Sequence, residues 1–169
     1  MAPVANLVSV EEYLSTDYEP NCEYEDGVLF PKPIPTRDHA SIIAELIYLI
    51  RQNYPSLRAL PELTVRVREG KYLLPDLVVQ PAANREKPYP TQPIPLCVEV
   101  LSPGQGIGEL FAKCEKYHRW GVPSTWVIDP ASQRAWVYHR NSLPNEVPAH
   151  GNLEAEGIAI PLAAVFAAN

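Results

Sequence analysis

No stretch of this chain is long and apolar enough to cross a bilayer, and Met1 to Val10 carry no basic cluster followed by an apolar run. The expectation is a soluble, unsecreted protein without a membrane partner. Cysteine is scarce. Cys22, Cys97 and Cys114 are an odd number, lack CxxC spacing and sit among apolar neighbours, which argues against a disulfide framework and for reduced, buried thiols. That favours the cytoplasm. The histidines His39, His118, His139 and His150 are scattered without metal-ligand spacing, which sets a zinc site aside. There is no Walker-type loop, and the glycines of Gly104 to Gly108 do not fit GxGxxG, so nucleotide-cofactor chemistry is set aside as well. Positive charge is also short: 14 lysines and arginines face 20 acids, for a net charge of -6. This argues against a general nucleic-acid coating protein, whose binding rests on basic residues neutralising phosphates. It leaves room for an enzyme that gathers its basic residues at one groove and lets a divalent cation offset its acids.

What is present is 169 residues, 46% of them apolar, enough for one domain over residues 1–169 with a single sizeable core. The 19 prolines cluster in Pro31 to Pro35 and Pro81 to Pro95, spaced too irregularly for a repeat, and both clusters read as loops. Ser9 with Glu12 makes a capping box for a short helix over Val10 to Leu14. A strand is expected around Glu23 to Phe30, interrupted by the turn-forming pair Asp26-Gly27. The stripe Ile42, Ile43, Leu46, Ile47 and Ile50 marks the main helix, with Asp38 as its expected cap and Pro55 as its stop. Leu63 to Arg68 alternates like a strand with one wet face, Leu73 to Gln80 reads as its partner, and Leu96 to Leu101 is an apolar run broken only by Glu99. A helix from about Glu109 to Trp120 and a strand over Thr125 to Ile128 complete a βαβ unit, which predicts a parallel pair. Ala135 to His139 is expected as an outer antiparallel strand, followed by a looser tail. The class is α/β with a mixed sheet.

Two acids fall inside apolar strands, where a carboxylate is costly unless it is paired, hydrogen-bonded or bound to a cation. Side chains alternate along a strand, so Asp76 shares a face with Leu74 and Val78, and Glu99 with Cys97 and Leu101. If the two faces coincide, the carboxylates meet. Such a pair repels itself but suits a hard cation such as Mg²⁺, which takes carboxylate oxygens and keeps several waters. A metal there activates a water and stabilises charge on a phosphoryl transition state, and a nearby lysine orients the water or shares the phosphate's charge. Lys113 is the candidate, beside the helix stripe Leu110, Cys114 and Tyr117, with Lys116 in reserve. Glu109, four residues earlier, is placed to form an ion pair with Lys113. The bland alternatives are a Pro-Asp turn, an edge-strand glutamate and a surface lysine.

Five runs stand in order along the chain: Pro75-Asp76-Leu77-Val78-Val79; Val98-Glu99-Val100-Leu101-Ser102-Pro103; Leu110-Phe111-Ala112-Lys113 with Tyr117; Gly121-Val122-Pro123; and Trp126-Val127-Ile128-Asp129-Pro130. In this respect the chain resembles the Uma-type family of restriction endonucleases, within the PD-(D/E)XK nuclease superfamily. The likeness also takes in Ser9 to Leu14, Glu23 with Asp26-Gly27, and Asp38-His39-Ala40, which together span about the first 140 residues. It implies a restriction-endonuclease-like mixed central sheet flanked by helices, and Mg²⁺-dependent (or Mn²⁺-dependent) hydrolysis of nucleic acid, with DNA the expected substrate. It makes Asp76 and Glu99 metal ligands, adds the Val100 carbonyl as a third, makes Lys113 the catalytic lysine and brings Glu23 in as an additional acid. Leu101 stands where the superfamily's usual lysine falls, so the role passes to Lys113. The loop from Gly104 to Gly108 lacks the arginines that often fill it in relatives, and Glu109 replaces the usual aspartate, which implies weaker phosphate contacts there.

His39 is a minor site candidate, with a capping role beside it. Trp120, Trp126 and Trp136 read as core or interface rather than base-stacking platforms, and Glu45 as a solvated helix acid. The competing functions are a nuclease fold that has lost catalysis and serves as a binding or assembly protein, and, last, a two-carboxylate glycoside hydrolase. A homodimer is expected, with Ala135 to His139 or the apolar segment Ile158 to Phe166 as its contact.

Overall fold

The computed structural model describes residues 7–85 and 87–167. Ser9 caps α1 (Val10–Ser15) by accepting the Glu12 N–H, which is the Ser9 half of the capping box read from the sequence. The Asp26-Gly27 turn, with both residues at positive φ, joins β1 (Cys22–Glu25) to β2 (Val28–Pro31) as an antiparallel hairpin. Beyond the proline-bearing segment 31–35 runs α2 (Arg37–Asn53). Its cap is Thr36, whose hydroxyl accepts the His39 N–H, and Asp38 lies inside the first turn. A capping side chain must sit outside the helix to reach back to it, and Asp38 is two residues too late.

After α2 comes β3 (Leu57–Pro61), which the alternation of the sequence does not announce, then β4 (Val65–Arg68) and β5 (Lys71–Leu73) around the turn at Glu69-Gly70. The expected single strand Leu73 to Gln80 is in fact two. Leu74, Pro75 and Asp76 break it, and β6 (Leu77–Pro81) continues in another sheet. Pro75 has no N–H to give a ladder, so the chain changes sheets there. Next are β7 (Leu96–Val100), α3 (Ile107–Trp120), β8 (Ser124–Asp129) and β9 (Arg134–His139). The chain ends in the short β10 (Asn145–Glu146), a hairpin of β11 (Asn152–Ala155) and β12 (Ile158–Pro161), and α4 (Leu162–Val165).

One antiparallel sheet has the order β2-β1-β5-β4, and the central mixed sheet has the order β10-β9-β8-β7-β6-β3. Only β7 and β8 run parallel within the central sheet, joined by α3 as the βαβ pattern requires. Helices cover both faces, which explains why β7 reads as a continuous apolar run. Leu96, Val98 and Val100 point to the side of α2, where they pack with Ile42, Leu46 and Ile50. Cys97 points to the side of α3, beside Val78 and Tyr117.

The tail is not loose. Leu153, Ala155, Ile158, Ile160, Leu162 and Val165 are all buried in the same core as α2 and Trp126. The two segments expected to make a dimer contact are therefore already used within one chain. Ala135, Trp136, Val137 and Tyr138 are buried too, with β10 rather than β9 at that edge of the sheet.

Candidate active site

The site forms where the two sheets meet. The ladder pairs Leu77 with Val98 and Val78 with Cys97, so Asp76, one residue before β6, stands level with Glu99 at the end of β7. Both carboxylates are buried, at 5% and 2% exposure. From the other sheet, β1 brings Glu23, and α3 brings Lys113 and Tyr117 across the sheet face.

Lys113 is the hub. Its Nζ lies 2.7 Å from Glu23 Oε1 and 2.9 Å from Glu99 Oε1, and donates to Glu99 Oε2 at 3.0 Å and to the Leu74 carbonyl at 3.3 Å. Burial works against its charge, but Glu99, Glu23 and Asp76 outweigh burial and hold the ammonium above its usual range. The ion pairs of Lys113 are with Glu23 and Glu99, not the expected i,i+4 pair with Glu109. A helix-surface pair needs a solvated face, whereas Lys113 points into the cleft. Lys116 approaches Glu25 at 3.8 Å.

Glu99 is the acid whose pKa is raised. Full burial pushes its pKa up to about 7, with Lys113 working the other way and the charges of Asp76 and Glu23 adding to the rise. The Tyr117 hydroxyl donates to Glu99 Oε1 at 2.6 Å. Asp76 goes the other way. Burial raises its pKa, but the hydrogen bond with His39 and the charges of Lys32 and Lys113 prevail and hold it below the usual carboxylate range. Asp76 Oδ2 accepts the Val100 N–H at 2.7 Å and lies 3.2 Å from His39 Nε2, while Oδ1 lies 2.6 Å from Lys32 Nζ. Two neighbouring carboxylates with pKa values driven apart by environment are a recurrent mark of catalytic sites.

Glu23, Lys32, His39, Asp76, Glu99, Val100 and Lys113 border one cavity of about 340 Å³, with Tyr117 behind Glu99 and outside its lining. The structure thus brings together Glu23, Asp76, Glu99, Val100 and Lys113, with His39 as their neighbour. Glu45 is not among the lining residues. Two participants were not read from the sequence as site residues. Tyr117 appears there in the helix stripe and in the third family-like run, but with no role at the site. Lys32 sits between Pro31 and Pro33 in a segment read as a loop, and the sole signal for it is one cation among prolines.

Among the described residues, no three His, Cys, Asp or Glu side chains converge as a ready-made metal cage. Mg²⁺ does not require one, because it is commonly held through one or two carboxylates with its waters retained. The donor chemistry fits: two buried carboxylates, both hard oxygen ligands. The charge also fits, because five acids line the cavity (Glu23, Glu62, Asp76, Glu99, Glu109) against three lysines (Lys32, Lys113, Lys116). One divalent cation would close that deficit.

A mixed sheet covered by helices on both faces, with paired acids and a helix-borne lysine at the strand ends, defines a restriction-endonuclease-like α/β protein. The chain belongs to the Uma2 family, described as "Putative restriction endonuclease", whose sequence profile matches residues 10–164. Its fold is shared with the crystal structure of a "putative nuclease belonging to DUF820" from Anabaena variabilis ATCC 29413. The two are 21% identical, with a TM-score of 0.80 over 95% of this chain and 98% of that one. No curated protein matches the chain.

Proposed function

We propose that this protein is a Mg²⁺-dependent endonuclease that hydrolyses phosphodiester bonds of nucleic acid, with DNA as its substrate and Mn²⁺ as an alternative ion. The observation that carries this reading is the buried pair Asp76 and Glu99, level with each other where β6 begins beside β7, with Lys113 Nζ 2.9 Å from Glu99 inside one cavity. Asp76 and Glu99 would hold the metal, with the Val100 carbonyl as a third ligand. When bound, the ion supplies an activated water and charge stabilisation at the phosphate.

The chain's own residues do the rest. Lys113, kept cationic by its three carboxylates, is a donor rather than a base, and its N–H groups suit a phosphate oxygen or the lone pair of the attacking water. Glu99, pushed up to about 7 by burial without metal, would give up its proton to take the ion. Tyr117 fixes Glu99 Oε1, and Glu23 fixes Lys113 while its own Oε1 accepts the Leu74 N–H at 2.9 Å. The two strands of a duplex run in opposite directions, which suits a pair of copies related by a two-fold axis. Any such contact lies elsewhere than on 135–138 or the buried positions of 158–165.

The test is incubation of the protein with plasmid and Mg²⁺ or Mn²⁺, beside Asp76→Ala. Nicking or linearisation by the wild type and none by the variant is expected. No cleavage by the wild type, or equal cleavage by both, refutes the proposal and favours a nuclease fold that binds without cutting.

A further inference from the structure

We propose that Lys32 is a second lysine of the site, a built-in counter-ion that occupies Asp76 Oδ1 and must give way when a divalent cation binds there. This rests on the reading of Asp76 as a metal ligand. The geometry is specific. Lys32 Nζ lies 2.6 Å from Asp76 Oδ1 and donates to the Leu74 carbonyl at 2.9 Å, and its side chain is only 11% exposed. The other oxygen of Asp76 is taken by the Val100 N–H and His39 Nε2, so both oxygens of this carboxylate already have partners. A divalent cation arriving at Oδ1 meets an ammonium 2.6 Å from the same oxygen, and the two positive charges repel; the lysine can leave by rotation about its own bonds.

The backbone around Lys32 is suited to letting only the side chain move. Pro31, Pro33 and Pro35 fix their φ angles, and the Lys32 N–H is bonded to the Asn21 carbonyl at 2.8 Å. The segment therefore stays in place while the ammonium exchanges partners. A buried carboxylate without a counter-charge is strongly disfavoured, so Lys32 keeps the metal-free site folded. The same bond competes with the metal. Once released, the ammonium is still within the cavity that holds Lys113, where a phosphate oxygen is a suitable next partner.

The experiment is calorimetric titration of Mn²⁺ into metal-free wild type, Lys32→Met, Lys32→Arg and Asp76→Asn, with thermal unfolding of each protein with and without the ion. A lost charge-assisted hydrogen bond corresponds to roughly tenfold to hundredfold in a binding constant. Lys32→Met is expected to bind Mn²⁺ at least about tenfold more tightly than the wild type. It should also melt lower without metal and gain more on adding it. Lys32→Arg, which keeps the charge, should stay close to the wild type, and it decides the matter if Lys32→Met fails to fold: binding as in the wild type supports competition by charge, and tightened binding opposes it. Unchanged or weaker Mn²⁺ binding by a folded Lys32→Met overturns this inference while leaving Asp76 as a ligand. Wild-type binding that is absent, or unaffected by Asp76→Asn, overturns both this inference and the function it rests on.

Discussion

Replacing Tyr117 with phenylalanine tests the electrostatics of the site through a single oxygen atom. Tyr117 is fully buried, its hydroxyl donates to Glu99 Oε1 at 2.6 Å, and its ring lies 6.0 Å from Lys113 Nζ. Phenylalanine keeps the ring and its packing and removes only the donor. Burial places the Glu99 pKa at about 7, so the carboxylate is charged above neutrality and protonated below it. A hydrogen bond to a charged group contributes about 2 kcal/mol, against about 1 kcal/mol for one between neutral groups. The donor favours the charged form, so deleting it raises the folded-state pKa of Glu99 further. Relative to the wild type, the variant must then lose stability as pH rises through 7. In metal-free urea unfolding the expected loss is about 2 kcal/mol at about pH 8.5 and about half that at about pH 5.5. The melting temperature should fall by about 4–8 °C at the higher pH. A loss that is the same at both pH values, or below about 0.5 kcal/mol at the higher one, refutes the assignment of a charged, Tyr117-bound Glu99.

Lys113→Met should lower the plasmid cleavage rate about a hundredfold or more, as does removal of one preorganised donor at a developing charge, and a rate within about threefold of the wild type excludes Lys113 from the chemistry. Leu153→Ala, at a fully buried hairpin position, should cost about 3 kcal/mol in urea unfolding, whereas a loose tail would lose less than about 0.5 kcal/mol. The hydrogen bond from Lys71, with further help from the charges of Lys71, Lys116 and Arg68, holds the Glu25 pKa below its usual value despite partial burial. The stability that the wild type holds over Glu25→Gln should therefore be full above the unfolded value of about 4.3 and disappear as pH falls through the lower folded value. Urea midpoints of the two proteins that stay equally far apart on acidification would count against that ion pair.

Much of the site was legible because its chemistry is written in short, local patterns. Asp76 and Glu99 stood out as acids inside apolar strands, and the period-two alternation placed Val78 and Cys97 on a common face, as their pairing in the ladder shows. The βαβ spacing carried Lys113 to the same end of the sheet. Three things were hidden because they depend on partners distant in sequence. The break at Leu74 to Asp76 is a change of sheet, and a strand pattern of apolar residues looks the same on either side of it. The packing of β11 and β12 depends on contacts with α2 and Trp126, the former lying at 37–53 in the chain, so their short alternation gave no sign of burial. Lys32 reaches Asp76 from 44 positions away in sequence, and no spacing rule links a lysine in a proline segment to a strand acid.

The charge balance of the cleft also bears on how an acidic protein meets a polyanion. A net charge of -6 gives no general attraction for phosphate, and the cavity itself holds more acids than lysines. Both Lys32 and Lys113 are already committed to carboxylates, so the metal-free cleft offers a phosphate little uncompensated positive charge. A divalent ion at Asp76 and Glu99 would, on the proposed function, cancel the cavity's excess of negative charge and return lysine N–H groups to it. On the proposed function, affinity for nucleic acid is therefore conditional on the ion rather than merely catalysis being so. Binding of a labelled duplex should be weak in chelator and strengthen with Ca²⁺, an ion that satisfies oxygen ligands. The gain should depend on Asp76 and Glu99 even though neither is positively charged. Equal affinity in chelator and in Ca²⁺ would mean that the duplex is held by another surface, and that the buried acids have no part in receiving it.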